Sequence, residues 1–183
     1  MYGRQRGWRL SARGRAEAEA VARHLGARPL ARIYTSPLER AVQTATAIAG
    51  TCGGEVEPRE GLTEAMLCAP WEGLPWREVR ESRAREWARY LFRPLEVTDV
   101  PEDLRGLAAR MEAELAAIVA AHPDEQVVVV SHGDPLKAGV LMLTGGDLRE
   151  LHRTPIPTGG LVSLEVHGRG PARVLERWAL GRD

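Results

Sequence analysis

The chain has little lysine, little cysteine and no long apolar run, and each scarcity narrows its class. Lys137 is the only lysine, so nearly all the positive charge is arginine; 25 basic residues are balanced by 25 acidic ones. With a formal net charge of zero there is no overall field for a polyanion, which argues against nucleic acid as a partner. Cys52 and Cys68 stand without metal-ligand spacing and read as free thiols in a reducing compartment. No stretch approaches the roughly 20 apolar residues that cross a bilayer, so no membrane partner is expected. The N-terminus lacks an apolar signal-peptide core, which makes the expected location cytoplasmic. Nothing in the sequence sets an oligomeric state.

What is present is a length of 183 residues, 44% of them hydrophobic, without repeats, low-complexity tracts or an evident linker. One domain over residues 1–183 is expected, large enough for a real core. Ala18, Val21, Ala22 and Leu25 form an apolar stripe at helical spacing over Arg15 to Leu25, ended by Gly26. Arg32 to Thr35 reads as a short strand. Ser36-Pro37 then opens a helix over Leu38 to Ala49, with proline near the first turn. Val56 belongs to a weak strand. The irregular stretch from Gly61 to Asp99 is expected to hold one helix, about Trp76 to Leu91. Pro101-Glu102-Asp103 starts a helix to about Ala121 that buries Leu104, Leu107, Ala108, Met111, Leu115 and Ile118. Val127 to Val130 suits a strand covered on both faces. A short apolar helix follows from Leu136 to Leu143, and Leu161–Val166 with Arg173–Trp178 close the chain as a strand pair. Helices alternating with short apolar strands imply an α/β fold: a mostly parallel sheet in a three-layer sandwich.

Chemistry concentrates where such sheets bind ligands, at the carboxyl ends of the strands. His132 ends the 127–130 strand, and the backbone amides of residues 133 to 135, Gly133 first, can face an anion at the start of the next helix. Arg40 lies one turn inside the helix after the 32–35 strand, so its guanidinium can aim at the same rim with a fork suited to phosphate oxygens. Glu64 sits between apolar neighbours in Leu62-Thr63-Glu64-Ala65-Met66, a setting that raises a carboxyl pKa and suits a general acid. Gly3-Arg4-Gln5-Arg6-Gly7 can bind phosphate through Arg4 or form a mobile arm. Each feature has a plainer reading: a core histidine, a solvated arginine, a loop carboxylate. Trp71-Glu72-Gly73-Leu74 reads as a packed lid.

Taken in order, these segments resemble the histidine phosphatase superfamily, the phosphoglycerate-mutase-like group. Gly3-Arg4-Gln5-Arg6-Gly7 is similar to its Gly-Arg-x-x-Gly loop, and Leu10-Ser11-Ala12-Arg13-Gly14 to its Leu-Thr-x-x-Gly helix start. Ser36-Pro37-Leu38-Glu39-Arg40 with Gln43-Thr44-Ala45 resembles its Ser-x-Leu-x-Arg-x-x-Gln-Thr-Ala signature. Leu62-Thr63-Glu64 followed by Trp71-Glu72-Gly73-Leu74 resembles its acid-bearing segment, and Ser131-His132-Gly133 its second histidine motif.

The resemblance implies a phosphomonoester hydrolase with a phosphohistidine intermediate and a small phosphorylated substrate. Arg40 would neutralise the phosphate, His132 would bond the transferring oxygens, and Glu64 would protonate the leaving alkoxide. Arg4, Ser36 and the Gly133 amide would add phosphate contacts. No cofactor and no metal are implied, because arginine and histidine supply the positive charge. Specificity would come from residues 65–100, with Trp71, Trp76, Arg77 and Arg80 as candidates. That segment is short for a mutase, which must enclose its intermediate, so phosphatase is preferred over phosphoryl transfer of the mutase type.

One part of the pattern is missing. The family's nucleophile lies in an Arg-His-Gly motif at the end of a first strand, upstream of the Gly-Arg-x-x-Gly loop. Arg23-His24 lies inside a helix and does not replace it, and His122, His152 and His167 match no motif. Two readings follow: a chain N-terminally truncated relative to the family and inactive or nearly so by itself, or a non-catalytic relative that binds phosphoesters. The first is preferred. Losing a central strand removes stabilisation comparable with a domain's total of ~5–15 kcal/mol, and Arg40, Glu64 and His132 all remain.

Overall fold

The computed structural model describes residues 2–168 and 170–180. Ser11 starts the first helix, accepting the Gly14 N–H at 3.1 Å, and α1 runs Ala12–Leu25. β1 (Arg32–Thr35) leads into α2 (Glu39–Cys52), and β2 (Glu55–Pro58) returns beside β1. After the loop that carries Glu64 come α3 (Trp76–Ser82), α4 (Ala84–Phe92) and α5 (Leu104–Ala121). The chain closes with β3 (Val127–Val130), α6 (Gly133–Thr144), β4 (Gly160–Glu165) and β5 (Arg173–Ala179).

β2, β1 and β3 form a parallel sheet in that order, with Arg32, Ile33, Tyr34 and Thr35 opposite Val127, Val128, Val129 and Val130. Side chains alternate across its two faces. Ile33, Val128 and Val130 pack against α1 and α2 through Val21, Ala22, Ala41, Ala45 and Ile48. Tyr34, Val127 and Val129 face the other way, onto Leu107, Met111, Leu115 and Ile118 of α5 and Ala138 of α6. The result is helix, sheet, helix: the expected three-layer α/β fold. The antiparallel β4–β5 pair forms its own sheet, and its Leu161 and Trp178 join the α1–α2 core.

Two expectations need correction. The helix expected over Trp76 to Leu91 is two helices, broken at Arg83, whose φ −130° and ψ 40° are not helical. The Ser82 hydroxyl donates to the Glu78 carbonyl at 2.7 Å just before the break, a back-bond of the kind that bends helices. The 127–130 strand is packed on both faces as expected, but among the described residues β3 pairs only with β1, so one edge is open and Val127, Val128 and Val129 stay half-buried. Finally, residue 135 is Pro135, so only Gly133 and Asp134 offer N–H groups at the start of α6.

Candidate active site

The site forms where β1 and β3 end side by side. Past Thr35, the Ser36 N–H donates to the Val130 carbonyl at 2.9 Å, which aligns the two strand ends. The Ser131 hydroxyl donates to the Leu62 carbonyl at 2.7 Å and ties the Glu64 loop to the end of β3. His132, in the extended conformation that precedes α6, is buried and turned towards β1. Its Nε2 shares a hydrogen bond with the Ser36 Oγ at 2.8 Å, and its Nδ1 lies 3.7 Å from the Glu64 Oε2. Ser36 also accepts the Leu38 N–H at 3.3 Å, at the entry to α2.

One turn into α2, Arg40 places its Nη2 4.0 Å from the Glu64 Oε2 and donates from it to the Gly3 carbonyl at 2.7 Å. Its Nη1 is buried and has no hydrogen-bond partner among the described residues. A buried guanidinium edge left unbonded is costly unless a ligand completes it. Arg40, Glu64, Gly133, Asp134, Tyr90 and Trp76 all line one cavity of about 580 Å³, within the range of small-molecule sites. His132 and Ser36 are not among its lining residues. A smaller depression of about 330 Å³, by Leu10, Arg15 and Gln43, lies apart from these groups.

The electrostatics separate the two titratable groups at the centre. Burial first, and then the negative charge of Asp134, push the Glu64 carboxyl up to about 7, against the Ala65 N–H, Arg40 and Arg4. Burial first, and then the charges of Arg40, Arg110 and Arg4, push His132 down to about 3. At neutral pH the histidine is an uncharged imidazole while the acid stands near its midpoint, able to give a proton and take it back. The Ser36–His132–Glu64 row superficially resembles a serine-nucleophile relay. However, Ser36 is 0% exposed, so no substrate carbonyl can reach its hydroxyl.

Arg4 comes to the site's edge, but its guanidinium is committed elsewhere. Its Nε donates to the Glu64 carbonyl at 2.6 Å and its Nη2 to Glu102 at 2.9 Å. Its backbone N–H donates to Glu72 at 2.9 Å, next to Gly3, which has φ +46° and no room for a Cβ against the Glu72 carboxylate. Tyr2 and Gly3 of the N-terminal loop are thereby held in the cavity lining. Trp71 is core rather than cavity wall, packed edge-on against Tyr90. Arg77 pairs with Glu81 on the surface, and Arg80 is exposed; of the four specificity candidates only Trp76 lines the cavity. His24 pairs with Glu176 and stacks on Trp178, and His122 bonds the Tyr34 hydroxyl, so neither joins the site.

Several residues important to the site carry no motif. Arg110 donates to both oxygens of Glu102, at 2.7 and 2.8 Å, and to the carbonyls of Gly61 and Thr63, at 2.7 and 3.0 Å, which clamps the Glu64 loop. Tyr90 donates to the Asp134 Oδ2 at 2.8 Å. Asp134 had a readable signal, an acid directly after the helix-opening His132-Gly133; Arg110 and Tyr90 had none beyond lying on amphipathic helices.

An unbonded arginine edge, a buried neutral histidine and a raised carboxyl, gathered at the carboxyl ends of a parallel sheet, mark an α/β protein of the class that binds its ligands at that edge. The chain matches the model of the histidine phosphatase superfamily (branch 1) over residues 1–179 and belongs to that family. It is 33% identical over 140 residues to Phosphoserine phosphatase 1 of Hydrogenobacter thermophilus, covering 76% of this chain and 66% of that one. It is 35% identical over 136 residues to the Metal-independent phosphoserine phosphatase of Arabidopsis thaliana, covering 72% of this chain and 56% of that one. The chain thus spans just over half to just under two-thirds of these relatives' lengths. Among solved structures, Bacillus stearothermophilus YhfR superposes with a TM-score of 0.84 at 27% identity, covering 96% of this chain and 86% of that one.

Proposed function

We propose that this chain carries the phosphate-binding and acid–base machinery of a phosphomonoesterase that works through a phosphohistidine intermediate. The observation that carries the proposal is the pairing, in one cavity, of the unbonded edge of Arg40 with a Glu64 carboxyl poised near neutrality. Arg40 and the Gly133 amide hold the phosphate oxygens, and neutral His132, set behind the cavity wall, supports the Glu64 carboxyl 3.7 Å away. A nucleophilic imidazole nitrogen attacks phosphorus and the P–O ester bond breaks; Glu64 gives its proton to the departing alkoxide. Glu64, now a carboxylate, takes a proton from the water that attacks the phosphohistidine, and inorganic phosphate leaves.

The nucleophile in this reading is not His132, which is buried and bonded to Ser36. It is supplied by a further strand pairing with the open edge of β3. Four valines on a strand bonded on one side only suit an interior position far better than an edge. By this reading residues 1–183 are one domain, N-terminally truncated relative to the family, and these residues alone bind phosphate without turning over an ester. The substrate is a small phosphomonoester, in keeping with the phosphoserine named for the two curated relatives.

The test is to titrate inorganic phosphate into the chain by calorimetry. An aryl phosphate is then assayed with this chain and with a version extended upstream by a strand ending in Arg-His-Gly. Saturable phosphate binding by the short chain and turnover only by the extended one are expected. Turnover by the short chain that His132→Ala abolishes would overturn the assignment of the nucleophile. Phosphate binding with no turnover by either would favour the non-catalytic phosphoester-binding reading.

A further inference from the structure

The phosphate site uses only part of the cavity lining, Arg40 and the Gly133 amide. The lining also includes Asp134, Cys68, the buried Tyr90 and the half-open indole of Trp76. The Asp134 side chain is only 12% exposed. One of its oxygens accepts from Tyr90, whose phenol is kept protonated by burial and by the Asp134 charge. The other lies 3.8 Å from the Nζ of Lys137, which is not among the cavity-lining residues. Lys137 thus pairs with Asp134 by charge but is too far away to hydrogen-bond, and among the described residues no hydrogen bond reaches that oxygen. The charge of Asp134 also acts on Glu64, where it is the largest charge effect raising the carboxyl.

We infer that Asp134, with the open indole of Trp76, forms a cation subsite for the leaving alcohol, so that the preferred substrates are amino-alcohol phosphomonoesters carrying an ammonium group and no adjacent carboxylate. The chemistry is that of ammonium recognition in general: one buried carboxylate for charge and an aromatic face for the rest of the cation. A phosphate dianion on Arg40 and an ammonium on Asp134 answer both charges at once. A neutral alkyl group would leave the carboxylate oxygen without a hydrogen-bond donor, and a carboxylate on the leaving group would meet like charge. Asp134 acts on binding and specificity; the proton of the reaction stays with Glu64. This inference rests on the phosphate site proposed above.

The experiment compares dissociation constants of the present chain, by calorimetry, for O-phosphoethanolamine, phosphocholine, n-propyl phosphate, O-phosphoserine and inorganic phosphate. Propyl phosphate matches phosphoethanolamine in size but lacks the charge. O-phosphoethanolamine should bind about tenfold more tightly than n-propyl phosphate and more tightly than O-phosphoserine. Asp134→Asn, which keeps an acceptor for Tyr90, should bring the first two within about twofold of each other. Equal binding of the amine and the alkyl ester by the unaltered chain overturns the inference, whatever the variant does. Selectivity that survives Asp134→Asn overturns it as well. Absence of saturable binding by every phosphate would instead overturn the phosphate site itself, and the cation subsite with it.

Discussion

The Nδ1 of His132 and the carboxylate of Glu64 lie 3.7 Å apart, yet the two groups titrate in the reverse of their ordinary order. That inversion shapes how stability depends on pH. His132, pushed down to about 3 from its ordinary 6.5, refuses a proton that the unfolded chain accepts, so it removes stability as pH falls from about 6.5. Glu64, raised from 4.5 to about 7, holds a proton that the unfolded chain releases, so its contribution is lost as pH rises from about 4.5 to 7. Between pH 4.5 and 6.5 the two slopes oppose each other.

Glu64→Gln removes one of them. Its unfolding free energy should climb with pH by ~1.4 kcal/mol per unit across that window, while the unaltered chain stays nearly flat. Denaturant titrations at pH 4.5, 5.5 and 6.5 measure the difference. A flat profile for the variant would show that His132 titrates normally and that the histidine is more open to water than its position implies.

Arg40 is expected to dominate phosphate affinity, because its Nη1 is the buried donor left without a bond. Arg40→Ala removes charge-assisted hydrogen bonds worth ~1.5–3 kcal/mol, or about 10- to 100-fold in the phosphate dissociation constant. Arg40→Lys keeps the charge but loses the planar fork, and should fall between the two. Calorimetric titration with inorganic phosphate ranks the three proteins. Equal affinity of Arg40→Ala and the unaltered chain would place the anion elsewhere.

Trp71 holds the floor beneath the cavity without lining it. It is 4% exposed and packs against Trp87 and Tyr90. Trp71→Ala should cost ~3–5 kcal/mol, as large-to-small changes in a core do. For a domain of this size that lowers Tm by about 6–20 °C. A thermal melt reads it directly. A loss within ~1 kcal/mol would mean that the surrounding rings collapse into the space.

Arg40, Glu64 and His132 were legible because each sits beside a strong local signal. Four valines before His132, a Ser-Pro helix start before Arg40, and apolar neighbours around Glu64 each tie a side chain to a backbone feature that period and punctuation reveal. The break at Arg83 was not legible, since no glycine or proline marks it and the run from Trp76 reads as one amphipathic helix. The diversion of Arg4 was hidden for a different reason. Its partner Glu102 is 98 residues away and was read as part of a helix start, so only the tertiary fold brings the pair together.

Arg110 supplies the last prediction, because it acts on Glu64 without touching it. Burial alone would raise the Glu102 carboxyl, but the bonds and charge of Arg110, helped by Arg4, more than reverse this and hold it low. Arg110→Ala leaves that carboxylate with Arg4 as its remaining partner and the carbonyls of Gly61 and Thr63 without this donor. Removing one partner of a buried ion pair costs ~3–5 kcal/mol. Both partners keep some exposure, 20% for Arg110 and 15% for Glu102, so a loss of ~2–3 kcal/mol is expected after solvent screening. Chemical denaturation with an unchanged m-value checks the stability, and phosphate titration of the same protein checks the loop. The clamp model requires both to suffer, because a loosened Glu64 loop disturbs the wall beside Arg40. Lowered stability with intact phosphate affinity would confine Arg110 to the scaffold.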